Sequence, residues 1–263
     1  MSRPPAKNRV PITSASATVC AVIDAPANGH AYLDFNSPLS DGKSYDLIGT
    51  LGPLDGATVV DYGCGWAEFL LRTVEHAPGA TGLGVDDDEY AIDRGTANIA
   101  ARGLTGRVRL ERADVTAYAA EPADVVVSIG ASHAWGGTRG TLEAMHTRLK
   151  PGGRLLLGDG IWDSEPNARA LEIFPREEFF AVDELVEVAM AAGYRLLNLA
   201  TANRDEWDSF ESRWCAGRER WLLANPDHPK AAEVAKVVDD HRDGWLKGYR
   251  TSMGFAYLTL ARR

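Results

Sequence analysis

An aspartate and two closely spaced glycines are the residues of this sequence that point most directly to chemistry. Asp61 ends the apolar run 57–61, and Gly63 and Gly65 follow it at once. Glycines let a backbone pass close to a ligand, and the ligands of α/β sheets bind at the carboxyl ends of the strands. A dinucleotide fingerprint would need a third glycine at the position of Glu68, where a carboxylate would lie beside a pyrophosphate. The pattern therefore disfavours a nicotinamide dehydrogenase and favours a ligand that carries positive charge and no phosphate.

Alternating strand and helix patterns surround this motif and must position it. Apolar runs predict strands at 57–61, 81–86, 107–112, 123–129, 154–158, 194–200 and 254–261. The helical spacing of apolar residues predicts helices at 40–51, 66–76, 90–102, 138–149 and 182–192. Strands that are apolar almost throughout and that alternate with helices indicate a parallel sheet covered on both faces. The sequence therefore predicts an α/β protein.

Further short motifs lie at the ends of the later elements. They are 84–86, 113–115, 128–130 and 149–154, after the glycine motif at 61–67. S-adenosylmethionine (SAM) fits the glycine motif because it carries an ammonium and a sulfonium group. In this order the motifs resemble those of class I SAM-dependent methyltransferases, over about residues 40–202 and the last strand. The resemblance implies a Rossmann-like, seven-stranded, mostly parallel sheet with helices on both faces, an antiparallel last strand and a helical insertion between strands six and seven.

The resemblance implies a role for each motif in binding SAM. The glycine motif lines the methionine end, and Asp86 accepts hydrogen bonds from the ribose hydroxyls, for which a carboxylate is well suited. Asp114 meets the adenine amine, Val115 packs on the ring, and 128–130 lies beside the reacting centre. The predicted cofactor-binding residues are Asp61, Gly63, Cys64, Gly65, Asp86, Asp87, Asp114, Val115, Ile129 and Gly130.

Several of these positions have alternative interpretations. Ala67 replaces the last glycine of the family's motif and adds one methyl group near the cofactor. Asp87 and Asp88 also suit capping of the next helix, and Cys64 also suits a packing role rather than a reactive one. The motif at 128–133 is not the [DN]PP[YF] signature, which disfavours methylation of planar amino nitrogens such as those of nucleic-acid bases.

His133 is the candidate catalytic residue. It follows strand four in the loop 130–137, which in the family lies beside the transferred methyl group. Histidine titrates near neutral pH and can accept a proton from an attacking alcohol, phenol or amine. The alternative is that it positions the loop or the substrate by hydrogen bonds. No metal site is expected, because Cys20, Cys64 and Cys215 are widely spaced and form no CxxC pattern.

Three segments are expected to cover the substrate: the N-terminal arm, the segment 159–180 and the insertion 203–250. Four of the seven tryptophans lie in the insertion, at helical spacing, on either side of a turn at 225–229. These rings predict a helical hairpin that packs on the sheet, the lining of an apolar pocket, or both. The predicted substrate-binding residues are Tyr32, Trp135, Glu178, Trp207, Trp214 and Tyr249.

Composition narrows the possible partners. The 263 residues include 28 basic and 37 acidic ones, a formal charge of −9, which argues against a nucleic-acid partner. No apolar run approaches the roughly 18–20 residues of a membrane span, and residues 1–30 lack the apolar core of a secretory signal. The sequence therefore predicts a cytoplasmic protein with a small-molecule acceptor and no nucleic-acid or membrane partner, either a monomer or a homodimer.

A single methyltransferase domain is expected over residues 1–263. Its parts are an N-terminal arm and cap (1–57), a SAM-binding core (58–202), a helical substrate-cap insertion (203–250) and the last strand (251–263). We expect in-line transfer of a methyl group from SAM to an oxygen or nitrogen, less readily a carbon, of a small aromatic or apolar metabolite, as in secondary metabolism. The product of the cofactor is S-adenosylhomocysteine (SAH). The alternatives are a SAM-binding regulatory or partner protein without methyl transfer, and a methyltransferase that acts on a peptide.

Overall fold

The computed structural model describes residues 28–263 as a central sheet with helices packed on both faces. Residues 1–27 of the predicted N-terminal arm lie outside the described residues. The strands are β1 (Thr58–Tyr62), β2 (Thr81–Asp86), β3 (Val108–Arg112), β4 (Ala123–Ile129), β5 (Leu149–Trp162), β6 (Tyr194–Thr201) and β7 (Met253–Arg262). The α-helices are α1 (Asp41–Thr50), α2 (Glu68–His76), α3 (Glu89–Ala101), α4 (Thr138–Arg148), α5 (Ala168–Ile173), α6 (Val182–Ala191), α7 (Arg204–Ala224) and α8 (Ala231–Asp243).

The sheet has the strand order β3-β2-β1-β4-β5-β7-β6. Strands β1 to β5 pair in parallel, whereas β7 runs antiparallel to both of its neighbours, β5 and β6. Because β7 alone is reversed, β6 ends at the same edge as β1, β2 and β4. The predicted Rossmann-like topology, with its antiparallel last strand, is confirmed. The carboxyl ends of the parallel strands therefore meet at one edge, where such sheets bind ligands.

Two apolar layers hold the helices against the sheet. On one face, Leu47 of α1, Leu70 of α2 and Ile99 of α3 share a buried cluster with the strands. On the other face, Leu142 of α4 and Leu185 of α6 belong to a second buried cluster. Each helix thus buries one apolar stripe, as its sequence pattern predicts.

The insertion between β6 and β7 folds as a helical hairpin of α7 and α8. Asn203 and Glu206 form a capping box at the start of α7, which has 21 residues. Trp214 of α7 stacks on His241 of α8 with ring centroids 3.8 Å apart. Within residues 28–263, no helix combines the length and apolarity that crossing a membrane requires.

Most predicted elements agree with the observed ones to within one or two residues, and the largest differences concern β5, the start of α2 and α5. Strand β5 extends over Leu149–Trp162 rather than 154–158, because its first residues pair with Ala123 across a bulge and its last residues pair with β7. Helix α2 begins at Glu68 rather than at residue 66, because Ala67 adopts a left-handed conformation with φ 60°. The short helix α5, capped by Asn167, has no counterpart in the prediction.

Candidate functional site

A cleft of about 530 Å³ opens at the carboxyl edge of the sheet. Its walls come from the loops after β1, β2, β3 and β4, and from the segment 28–39, which we call the N-terminal strap. All ten predicted cofactor-binding residues line it, and so does His133. The remaining lining residues are His30, Phe35, Asn36, Ser37, Leu39, Trp66, Glu68, Phe69, Asp88, Thr116, Ala131 and Ala134.

The loop after β1 forms the floor of the cleft. Gly63 and Gly65 have φ angles of 79° and 53°, in the left-handed region that favours glycine. A Cβ atom on Gly63 would lie 2.4 Å from the Cβ of Ala131, so only a glycine lets this loop approach the loop after β4 so closely. Burial, with the charge of Asp86 beside it, raises the pKa of Asp61 to about 8. The floor therefore holds a buried carboxyl group that a cationic ligand would help to ionise.

Asp86 lies beside this floor at the end of β2. Its carboxylate accepts hydrogen bonds from the backbone N–H groups of Gly65, at 2.7 Å, and Asp88, at 3.0 Å. Burial raises the pKa of Asp86, although these two hydrogen bonds oppose the shift. Asp88 itself caps α3 by accepting from the N–H of Ala91 at 3.1 Å. The capping alternative thus applies to Asp88, whereas Asp87 lines the cleft without capping the helix.

Asp114 and Cys64 have opposite environments. Asp114 is exposed, and hydrogen bonds from the hydroxyl and N–H of Thr116 lower its pKa. Cys64 is enclosed beside Asp61 and Asp86, and its burial raises the pKa of the thiol well above the usual value. A thiol held in its neutral form is a poor nucleophile, which favours a packing role for Cys64 over a reactive one.

The loop after β4 brings His133 to the cleft. Gly130 has a φ of 70°, which turns the chain away from the sheet, and Ser132–Trp135 then form one 3-10 turn. Ile129 and Gly130 line the cleft beside it. The His133 side chain is exposed at the cleft and can reach a bound molecule.

The N-terminal strap forms one side of the cleft and is bound by the side chain of Arg94. Arg94 donates hydrogen bonds to the carbonyl oxygens of His30, at 2.8 Å, and Leu33, at 2.7 Å. Its guanidinium also lies 4.1 Å from the ring centroid of Trp66, whose indole N–H donates to the Asp34 carbonyl at 2.6 Å. The strap is therefore anchored to the elements that build the cleft.

Known proteins share this fold. Residues 60–155 match the family model for a methyltransferase domain. A SAM-dependent methyltransferase from Geobacter sulfurreducens, solved with SAH, superposes with a TM-score of 0.83 and 25% identity, over 89% of this chain and 96% of that one. One from Thiobacillus denitrificans, also with SAH, has a TM-score of 0.80 and 26% identity over 89% and 96%. Residues 60–155 thus match a methyltransferase domain, and the chain has the fold of SAM-dependent methyltransferases.

The chain also resembles YjhP of Escherichia coli (strain K12). The two sequences are 29% identical over 234 residues, which is 87% of this chain and 94% of YjhP. The crystal structure of YjhP has a TM-score of 0.82. The similarity to YjhP extends well beyond the 96 residues, 60–155, that match the family model.

The predicted substrate-binding residues lie outside the cleft lining. Tyr32 is 44% exposed and lies under the guanidinium of Arg220, 4.3 Å from its ring centroid. Trp135 packs on Tyr62 with ring centroids 6.3 Å apart. Glu178 is partly buried in a 3-10 turn, where burial raises its pKa.

The three predicted residues of the insertion have packing roles. Trp214 is buried between α7 and α8. Tyr249 is buried and donates a hydrogen bond to Glu211 at 2.8 Å. Trp207 contacts Tyr249 and Phe255, with ring centroids 6.4 and 6.5 Å away. The structure therefore brings the cofactor residues and His133 together, and it uses these aromatic residues to attach the hairpin.

The strap contains the site residues that no motif marks. His30, Phe35 and Ser37 line the cleft although the sequence around them has no helical or strand period. Glu68, whose carboxylate disfavours a bound dinucleotide, also lines the cleft. It accepts hydrogen bonds from Arg72 at 2.7 Å and from Arg102 at 2.5 Å. The mixture of aromatic and small polar residues at 32–39 is the one available signal.

Proposed function

We propose that the cleft binds SAM and that the protein transfers its methyl group to an oxygen or nitrogen, less readily a carbon, of a small aromatic or apolar molecule. The supporting observation is the charge of the cleft. Asp61, Asp86 and Asp114 lie at or near the carboxyl ends of three neighbouring strands, and no lysine or arginine is among the described lining residues. Such a cleft favours a cationic cofactor and repels phosphate groups.

Each carboxylate has a place for one part of SAM. Asp61 supplies the negative charge near the methionine end. Asp86 uses two of its acceptor sites on backbone N–H groups and keeps others for the ribose hydroxyls. Both bonds from Thr116 go to Oδ1 of Asp114, which leaves Oδ2 for the adenine amine. Val115, buried beside it, offers an apolar surface to the adenine ring.

A second cavity of about 480 Å³ supports a small acceptor molecule. It lies between the strap and the start of α7, and it shares Phe35, Ser37 and Leu39 with the cofactor cleft. Leu33 and Phe210 add apolar surface to it. Its volume suits a small molecule rather than a folded protein.

The transfer is an in-line displacement. The acceptor's lone pair forms a bond to the methyl carbon while the bond from that carbon to sulfur breaks, and the electron pair stays on sulfur to give SAH. The protein contributes mainly by holding the reactants aligned and shielded from water. An alcohol, phenol or ammonium acceptor must also lose a proton, which His133 can accept from its position on the cleft wall.

Thermal denaturation with three ligands tests the cofactor. A ligand at 100 times its Kd stabilises a protein by about 2.7 kcal/mol. SAM and SAH should each raise the Tm, and NAD at the same concentration should not. A rise with NAD alone would overturn the proposal.

Release of SAH in the presence of candidate acceptors tests methyl transfer. Neutral phenols, alcohols and amines should support it better than phosphorylated analogues. With a hydroxyl acceptor, His133→Ala should lower kcat by about 10²–10⁴ while the Kd for SAM stays within a few fold. Undiminished turnover would remove His133 as the base and leave it a positioning role.

A further inference from the structure

A buried carboxylate lies behind the wall of the cleft, on β5. Asp159 is 3% exposed and is not among the residues that line the cleft. It accepts hydrogen bonds from the hydroxyls of Ser132, at 2.9 Å, and Thr138, at 2.6 Å, and from the N–H of Gly160 at 2.9 Å. No lysine or arginine of the described chain forms an ion pair with it. Its side-chain hydrogen-bond partners are therefore the hydroxyl groups of Ser132 and Thr138.

Those two hydroxyls lie at opposite ends of the loop that carries His133. Ser132 begins the 3-10 turn, and Thr138 is the first residue of α4. Gly136 and Gly137, between them, have φ angles of 73° and 107°. Glycines give this stretch more freedom than other residues would, so its shape depends on what holds its ends.

The energetics of Asp159 favour a tight hold. Burial raises the pKa of Asp159 above its ordinary value. The hydrogen bonds from Thr138, Ser132 and Gly160, together with the nearby His133, offset part of this rise. A buried carboxylate is costly unless its oxygens are hydrogen-bonded, so loosening either hydroxyl leaves a poorly satisfied charge. The loop is thereby held with both hydroxyls in place.

We propose that Asp159 is a positioning residue that clamps the loop 132–138 through Ser132 and Thr138 and so sets the wall of the cleft at His133. His133 and Ala134 belong to this loop and line the cleft, whereas Asp159 is not one of the lining residues. The inference rests on the proposed function because it takes the cleft as the SAM site.

Removing one hydroxyl at a time tests the clamp without an acceptor molecule. Thr138→Val keeps the shape of the side chain and loses the donor, and Ser132→Ala loses the other donor. We expect both variants to raise the Kd for SAH about tenfold by isothermal titration calorimetry. Amide hydrogen exchange in residues 132–137 should accelerate by at least about tenfold. Thr138→Ser keeps the hydroxyl and should restore wild-type values.

A matched control separates the clamp from a general loss of stability. Thr73 of α2 is also fully buried, and its hydroxyl donates to the Phe69 carbonyl at 2.8 Å within the helix. Thr73→Val should lower the Tm while exchange in residues 132–137 remains unchanged. Wild-type loop exchange and SAH affinity in both Thr138→Val and Ser132→Ala would overturn the clamp. Failure of the wild-type protein to bind SAH would instead overturn the proposed function, and the exchange measurement would still decide about Asp159.

Discussion

Replacing Asp61 with asparagine should remove a large part of the pH dependence of stability. The pKa of Asp61 is about 8 in the folded protein, against an ordinary value of 3.8. Between these two pKa values, the Asp61 side chain therefore keeps its proton in the folded protein and loses it in the unfolded chain. Because its pKa is raised, Asp61 contributes stability that is fully present below pH 4 and is lost as the pH rises through 8. An asparagine side chain at this position would have no proton to lose.

The magnitude follows from linkage. One group that holds an extra proton in the folded state changes the free energy of unfolding by about 1.4 kcal/mol per pH unit. Over the window between the two pKa values this amounts to on the order of 5 kcal/mol. The charge of Asp86 contributes to the raised pKa of Asp61, so the two carboxyl groups titrate as a coupled pair. The change in free energy over this pH range therefore belongs to the pair.

SAM should reverse this effect, because its positive charge favours the ionised carboxylate. Between pH 5.5 and 7 the affinity for SAM should rise up to about tenfold per pH unit, with close to one proton released per molecule bound. Calorimetry in buffers of different ionisation enthalpy measures that proton directly.

The matched control is Asp114→Asn. Asp114 has a lowered pKa and stays ionised over this range. Its replacement should weaken binding without changing the pH slope, whereas Asp61→Asn should remove a large part of both the slope and the proton release. Equal slopes of unfolding free energy in the wild type and Asp61→Asn, together with no released proton, would refute the role assigned to Asp61.

Three further substitutions test the loop, the strap and the hairpin. Gly63→Ala should lower the free energy of unfolding, measured in urea, by about 2–3 kcal/mol, because the added Cβ would lie 2.4 Å from a side chain of the loop after β4. The control is Gly152→Ala, at a position with φ 76° and open space around it, which should lower the free energy of unfolding by only about 1 kcal/mol. Arg94→Ala should speed hydrogen exchange in the strap and weaken SAM binding, whereas Arg112→Ala, which removes an exposed ion pair, should do neither. Tyr249→Phe should cost about 1–2 kcal/mol by withdrawing a donor from a buried glutamate, with an unchanged KM for the methyl acceptor; a raised KM for the acceptor would support the predicted substrate role.

The elements of the sheet are predictable because each one carries its own pattern. The run that ends at Asp61 is apolar as a matter of its own sequence. An apolar run of this length between two helices is typical of a buried parallel strand. The helical period places the start of α2 two residues early, because the left-handed conformation of Ala67 leaves no mark in that period. The early start of β5 escapes prediction because its first residues pair across a bulge, and Pro151 with its neighbouring glycines is more typical of a turn.

The aromatic residues of the insertion show the limit of a periodic pattern. The spacing of Trp207 and Trp214 predicts a buried helical face, and it leaves open whether that face meets a ligand or another helix. Trp214 stacks on His241, and Trp207 packs edge-to-face against Phe255, so these faces meet protein. The spacing of the aromatic residues predicts that this helix face is buried. Which residues cover the face depends on contacts between residues far apart in the chain.

The α/β order and the acidic and glycine residues of the cofactor cleft can be read from the chain before it folds, and the antiparallel end of the sheet follows from the resemblance to a family. These features depend on local spacing, because a motif at a strand end keeps its place wherever the strand lies in the sheet. Folding alone establishes that the strap lines the cleft, that burial raises the pKa of Asp61, and that Asp159 holds both ends of the His133 loop. Each of these depends on distances between segments that are remote in sequence, and such distances exist only once the chain has folded.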